Sequence, residues 1–258
     1  MKTVEPTRTL HYGQLPVDIY ETEEEMGRAA TMQASRIIQE ALDTRGAANV
    51  ILATGNSQLA FLRALREAAG IDWSKVRVFH MDEYVGIDPK HRASFPRFLY
   101  EHFLNFVSVH EFYPISGELE AVEDTCRRYD ENLRKHPADM VALGWGENGH
   151  LAFNDPPYAK FDDPTWVKVV ELDDVSRRQQ VGEGHFTSLE EVPKQAITLT
   201  IPALLAPKHI LCIVPEARKA DAVHACLTEP VSDKRPGTIL REINNAHLFL
   251  DKHSAAKL

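Results

Sequence analysis

Short apolar runs, separated by amphipathic stretches of ten residues or more, dictate the architecture open to this chain. The runs Val50-Ile51-Leu52-Ala53, Val76-Arg77-Val78-Phe79-His80, Met140-Val141-Ala142-Leu143-Gly144 and 209–214 have the length and continuity of strands buried on both faces. Thr22, with Glu25 three residues later, forms a capping-box pattern. Met26, Ala30, Ala34, Ile37, Ile38 and Ala41 then follow at helical spacing, and Gly46 ends the helix. The run Glu23-Glu24-Glu25 places negative charge where a helix N-terminus favours it. A second helix follows the turn Thr54-Gly55-Asn56-Ser57 and carries Leu59, Leu62, Leu65 and Ala69. Residues 94–106, 121–135 and 216–227 read as further helices, and 167–170, 197–200 and 247–250 as further strands. This alternation predicts an α/β fold: a mostly parallel central sheet with helices on both faces, in one domain over residues 1–258. The proline-containing stretch 156–164 reads as an irregular surface loop or lid.

Composition narrows the function classes. Hydrophobic residues at 43% and charged residues at 26% are ordinary globular values, which excludes disorder, collagen and coiled coil for the whole chain. Folding at this length removes roughly 70% of the unfolded surface from water, so a core forms without metal or disulfide staples. Asp and Glu outnumber Lys and Arg by 38 to 29, a net charge of −9, so a nucleic-acid or anionic-membrane partner is not expected. An anionic small molecule would need cations and backbone amides gathered locally. Cys126, Cys212 and Cys226 show neither CxxC nor zinc-finger spacing and read as reduced thiols. The N-terminus lacks a signal-peptide core, and no apolar stretch approaches the ~20 residues of a membrane span. The expectation is a soluble, cytoplasmic chain; homo-oligomerisation stays open.

In an open parallel sheet, ligands bind beyond the carboxyl ends of the strands, and three post-strand segments carry chemistry there. Gly55, Asn56 and Ser57 can turn amides and a hydroxyl toward an anion at a helix start, although neither a Walker A lysine nor GxGxxG is present. His80-Met81-Asp82-Glu83-Tyr84-Val85-Gly86 sets two adjacent carboxylates after an apolar strand, where partial burial would fit one of them to act as a base. Metal binding by His80, Asp82 and Glu83 lacks supporting ligand spacing. Gly144-Trp145-Gly146-Glu147-Asn148-Gly149-His150 crowds glycines around an imidazole, and Asp155 follows five residues on, the composition of an oriented proton shuttle. Taken singly, the first two are more often a plain connection or cap, whereas a His in a Gly-rich post-strand loop with an acid five residues on is less easily dismissed.

Together the segments resemble the glucosamine-6-phosphate deaminase/isomerase family, from about Thr22 to Leu258. The resemblance is carried by Met81-Asp82-Glu83-Tyr84-Val85-Gly86, by Gly146-Glu147-Asn148-Gly149-His150 through Phe153-Asn154-Asp155-Pro156, by Ala53-Thr54-Gly55-Asn56-Ser57 and by Arg218-Lys219-Ala220. It implies a Rossmann-like sheet, a 2-amino-2-deoxyhexose 6-phosphate substrate and no metal or organic cofactor. It also implies Asp82 as proton acceptor at sugar C2, His150 as the ring-opening imidazole, Asp155 as its orienting carboxylate, and Lys219 as a phosphate ligand. Asn148 stands where many members have Asp, and Asp155 where they commonly have Glu. The family's phosphate-binding arginine is expected at Arg177, with Arg178 its competitor. The Ser- and Arg-rich stretch that long, regulated members carry after the Phe-Asn-Glu-Pro segment is replaced here by 156–165, so that allosteric site is not expected.

The resemblance leaves four activities open. Deamination of glucosamine 6-phosphate leads, ahead of its galactosamine epimer. 6-Phosphogluconolactonase shares the fold and the Gly-His loop, but Phe153-Asn154-Asp155-Pro156 favours the deaminase. A non-catalytic sugar-phosphate sensor is motivated by Asn148 and Asp155, and opposed by Asp82 with His150.

Overall fold

The computed structural model describes residues 4–172, 174–182 and 184–258. A hairpin of β1 (Arg8–Tyr12) and β2 (Leu15–Tyr20) leads into α1 (Glu23–Arg45). The Thr22 hydroxyl accepts the Glu25 amide at 3.2 Å, and Gly46 closes the helix in the left-handed region at φ 71°. There follow β3 (Ala48–Leu52), α2 (Leu59–Arg66), β4 (Val76–His80), β5 (Asp82–Tyr84), α3 (Phe95–His102), β6 (Glu111–Tyr113), α4 (Val122–Lys135) and β7 (Met140–Leu143). The second half runs β8 (Val167–Glu171), α5 (Asp174–Gly182), β9 (Gln195–Leu199), α6 (Ile201–Leu205), β10 (His209–Val214), α7 (Ala220–Thr228) and β11 (Ala246–Asp251).

Eight strands form the central sheet in the order β1-β2-β11-β10-β7-β3-β4-β6. Every neighbouring pair is parallel except the β1–β2 hairpin. Both faces are covered, and strand periodicity divides the side chains between them. Val50 and Leu52 join Met26, Ala30, Ile38, Phe61 and Leu65 under α1 and α2. Ile51, between them, joins Val141, Leu143, Tyr129, Val223 and Leu227 under α4 and α7. The chain builds outward from β3 through β4 to β6, then returns to place β7 on the other side of β3. The crevice at the carboxyl ends of β3 and β7 is therefore a topological switch point, where a doubly wound sheet opens a binding site.

Four of the expected elements differ from the expectation. β8 and β9 leave the central sheet and pair antiparallel with β5 in a small sheet of order β5-β9-β8. Its apolar side chains extend the main core through Val167, Ile197 and Leu199 and add a cluster around Tyr84, Phe153 and Phe186. The helix expected over 94–106 stops at His102, because Phe103 leaves helical geometry at φ −140°, ψ −61°. The helix expected from Glu216 begins as a 3₁₀ turn, Ala217–Lys219, before α7. Among the described residues no helix is long and apolar enough to cross a membrane.

Candidate active site

The loop after β3 makes one wall of the cleft at the switch point. Gly55 sits at φ 96°, ψ 167°, a conformation that only glycine adopts without strain, and opens the 3₁₀ turn Asn56–Gln58 that runs into α2. Buried Gln58 fixes this turn from below: its Nε2 donates to Ser57 Oγ and to the Ile213 carbonyl of β10, both at 3.3 Å. Beyond β10 a second strained residue, Glu216 at φ 81°, redirects the chain. The 3₁₀ turn that follows brings Arg218 and Lys219 to the cleft, with Lys219 almost wholly buried. Gly55, Asn56, Ser57 and Lys219 thus line one cavity of about 880 Å³, counted with its open mouth.

Asp82 lines the same cavity from the small sheet. It lies on β5, opposite Thr198 of β9, and alternation along the strand sends Glu83 the other way. Glu83 is consumed there. Its Oε2 accepts the Ser94 hydroxyl at 2.8 Å and the Phe95 amide at 3.1 Å, and its Oε1 accepts the Tyr84 amide at 2.8 Å. Of the two adjacent carboxylates, only Asp82 faces the cleft. Burial pushes its carboxyl up to about 8, and the neighbouring Glu83 charge adds to the rise. Burial also raises Glu83, to about 7, against the lowering effect of its hydrogen bonds. His80 is spoken for as well: Nε2 accepts the Ile115 amide at 2.8 Å, and full burial holds the ring neutral, down to about 3. Among the described residues no group of three or more His, Cys, Asp or Glu is placed to hold a metal ion.

The third wall comes from the glycine-rich loop after β7. The His150 ring lies directly over Gly146, where a Cβ would stand 2.2–2.4 Å from three of its ring atoms. Nδ1 of His150 faces Asp155 Oδ1 at 3.0 Å. With Asp155 ionised, that contact assigns the proton to Nδ1 and leaves Nε2 as the free basic nitrogen. Asn148 supports both partners, donating from Nδ2 to Asp155 Oδ1 at 2.6 Å and accepting the His150 amide on Oδ1 at 3.0 Å. Asn148 and Asp155 therefore stand behind His150, which is the member of the trio lining the cavity. The loop is bolted to the small sheet. Thr198 Oγ1 accepts the Phe153 amide at 3.1 Å, and buried Asn154 donates to the carbonyls of Leu151 and Leu199, both at 2.8 Å. Since Thr198 pairs with Asp82, β9 holds the carboxylate and the imidazole in one frame.

Arg177 is not where the phosphate assignment requires it. Its buried guanidinium donates through Nη2 to the carbonyls of Leu189 (2.5 Å) and Val192 (3.1 Å), and it does not line the cavity. Its burial on α5 explains this: a guanidinium out of water needs acceptors, and two backbone carbonyls supply them. Arg178 is exposed and also lies off the cavity wall. The 156–164 stretch contributes no wall residue either. The mouth is instead formed by Arg92, Ala93, Phe95 and Phe98 before and within α3, and by Gln180 and His185 at and after the end of α5. The sequence gives these no local signature, because their meeting depends on a bond between distant loops, Arg92 Nε to the His185 carbonyl at 3.1 Å.

A family model described as glucosamine-6-phosphate isomerases/6-phosphogluconolactonase matches residues 21–249, and the chain belongs to that family. It is 33% identical over 225 residues to a glucosamine-6-phosphate deaminase of Streptococcus thermophilus, which spans 87% of this chain and 94% of the relative. Among solved structures, a monomeric glucosamine-6-phosphate deaminase superposes with a TM-score of 0.83 at 26% identity, covering 93% of this chain and 98% of its own. A 6-phosphogluconolactonase of Shewanella baltica superposes with a TM-score of 0.73 at 21% identity, covering 91% and 96%, a likeness of fold.

Proposed function

We propose that this protein isomerises and deaminates a 2-amino-2-deoxyhexose 6-phosphate in the cytoplasm: glucosamine 6-phosphate and water give fructose 6-phosphate and ammonium. One observation carries the reading. A carboxylate with a raised pKa, an imidazole tied through Nδ1 to a carboxylate and a helix-start turn beside a buried lysine all line a single cleft. Each matches a step of this reaction.

Phosphate is held by the turn at Gly55, Asn56 and Ser57 and by Lys219, which fixes the sugar so that its other end meets Asp82 and His150. His150 Nε2 takes the proton from the anomeric hydroxyl and passes it to the ring oxygen as the C1–O5 bond breaks, and the pyranose opens to an aldehyde. Asp82, as carboxylate, removes the C2 proton that the C1 carbonyl acidifies, and an enol-type intermediate forms. The same proton is delivered to C1. The C2 imine then adds water and expels ammonia, leaving the 2-ketose. A base facing this task works best with a pKa near the operating pH, which the burial of Asp82 provides. The parent deaminase activity named for the relatives agrees with this assignment.

The decisive experiment measures ammonia release from glucosamine 6-phosphate and galactosamine 6-phosphate side by side, with 6-phosphogluconolactone hydrolysis as control. Ammonia from the gluco epimer, lost in His150→Ala, is the expected result. Silence with both amino sugars overturns the reading.

A further inference from the structure

The resemblance implied an arginine on the phosphate, and the guanidinium of Arg177, which donates to the Leu189 and Val192 carbonyls and lies off the cavity wall, leaves that role open. We infer that Arg92 takes it. The inference rests on the deaminase reading for the identity of the sugar, but only on the anion cradle for the phosphate itself.

Three observations place Arg92 there. Its side chain lines the same cavity as Gly55, Asn56, Ser57 and Lys219. It sits, exposed, in the loop that enters α3, and α3 packs against α2, the helix that follows Gly55, Asn56 and Ser57. Finally, its only hydrogen bond to a described residue runs from Nε to the His185 carbonyl at 3.1 Å. That bond anchors the guanidinium by its inner nitrogen and leaves the outer pair, Nη1 and Nη2, as a fork. A fork held in this way is the geometry that binds two phosphate oxygens at once.

The anchor is itself braced. His91 stacks on Phe186 at 5.1 Å, and Phe186 meets the Tyr84 ring edge-on at 5.5 Å. The two mouth segments that Arg92 joins are thus clasped by rings on one side and by the Nε bond on the other. The acidic chain has gathered its cations locally: Arg92, Arg218 and Lys219 all line the cavity. Arg218 is engaged with Glu216 at 2.6 Å, whereas the fork of Arg92 faces no carboxylate among the described residues.

The test is titration with inorganic phosphate, followed calorimetrically, of wild type, Arg92→Gln and Arg92→Lys, with steady-state kinetics on glucosamine 6-phosphate alongside. Arg92→Gln is expected to raise the phosphate Kd and the KM about tenfold with kcat within about threefold. Arg92→Lys, which keeps the charge and loses the fork, falls between the two. A phosphate Kd for Arg92→Gln within twofold of wild type overturns the assignment, as does a fall confined to kcat. The phosphate titration decides this even if neither amino sugar yields ammonia, so failure of Arg92 and failure of the proposed reaction are told apart.

Discussion

Substituting alanine for Gly146 separates the placement of His150 from the stability of the fold. A Cβ at this position would lie 2.2 Å from the ring Cε1, 2.3 Å from Nε2 and 2.4 Å from Nδ1, against an ordinary contact distance of at least 3.4 Å. Moving from 2.2 to 3.4 Å obliges the imidazole to retreat by about 1.2 Å. A shift of that size either breaks the 3.0 Å bond to Asp155 or draws Nε2 away from the substrate. Misplacing a reacting group by about 1 Å costs on the order of 10²-fold in rate, equivalent to about 2.7 kcal/mol of barrier. The folding cost is far smaller, because the obstructing atoms belong to a side chain that can rotate. An off-rotamer histidine costs about 1 kcal/mol and moves Tm by roughly 2–4 °C. The assay is kcat for ammonia release, with Tm by circular dichroism as the fold control. A variant with wild-type Tm and kcat within threefold of wild type would refute the argument that the glycine exists to seat the ring.

Three further substitutions test other parts of the site. Asp82→Asn is expected to abolish exchange of the C2 proton with solvent while leaving phosphate binding intact; retained exchange removes Asp82 from the base role. The same variant tests the burial of the carboxyl: its folded pKa of about 8 lies above its unfolded value, so wild type loses stability as pH rises from about 4 to 8. The stability advantage of Asp82→Asn should therefore widen from pH 5 to pH 8, by up to about 1.4 kcal/mol per pH unit in unfolding free energy, and a constant gap would contradict the burial argument. Asn148→Asp replaces the 2.6 Å amide bond to Asp155 with two carboxylates in contact. It should lose about 1–3 kcal/mol at pH 8 and regain part of that as pH falls and the pair takes up a proton; Tm losses independent of pH would count against it. Lys219→Ala should raise KM about 10- to 100-fold with kcat nearly unchanged, the signature of a contact shared by ground and transition states, and a loss confined to kcat would exclude that role.

Residues with strictly local meaning were legible in the sequence. Thr22, Glu25 and Gly46 announce α1 because capping and left-handed closure are decided within a few residues. The buried runs on β3, β4, β7 and β10 are equally clear, since a strand covered on both faces must be apolar throughout. Asp82 and His150 stand out because a carboxylate and a glycine-seated imidazole follow such strands. What depends on tertiary pairing was not legible. β5 has only three residues, Asp-Glu-Tyr, and no period to detect; it is a strand because β9 lies beside it. The fate of Arg177 turns on two carbonyls twelve and fifteen residues away. Arg92 gains its place from His185, 93 positions along the chain.

The division of the site between two sheets gives the protein a caliper. One jaw, carrying Gly55, Ser57 and Lys219, is set by the central sheet through β3 and β10. The other, carrying Asp82 and the loop of His150, is set by β9 of the small sheet. Under the proposed reaction a sugar would engage both, its phosphate at one jaw and carbon 2 at the other, so the spacing between the sheets would gauge molecular length. Core substitutions where the two sheets meet, at Val167, Ile197 or Leu199, would recalibrate which sugar phosphates are turned over without touching a residue that meets the substrate.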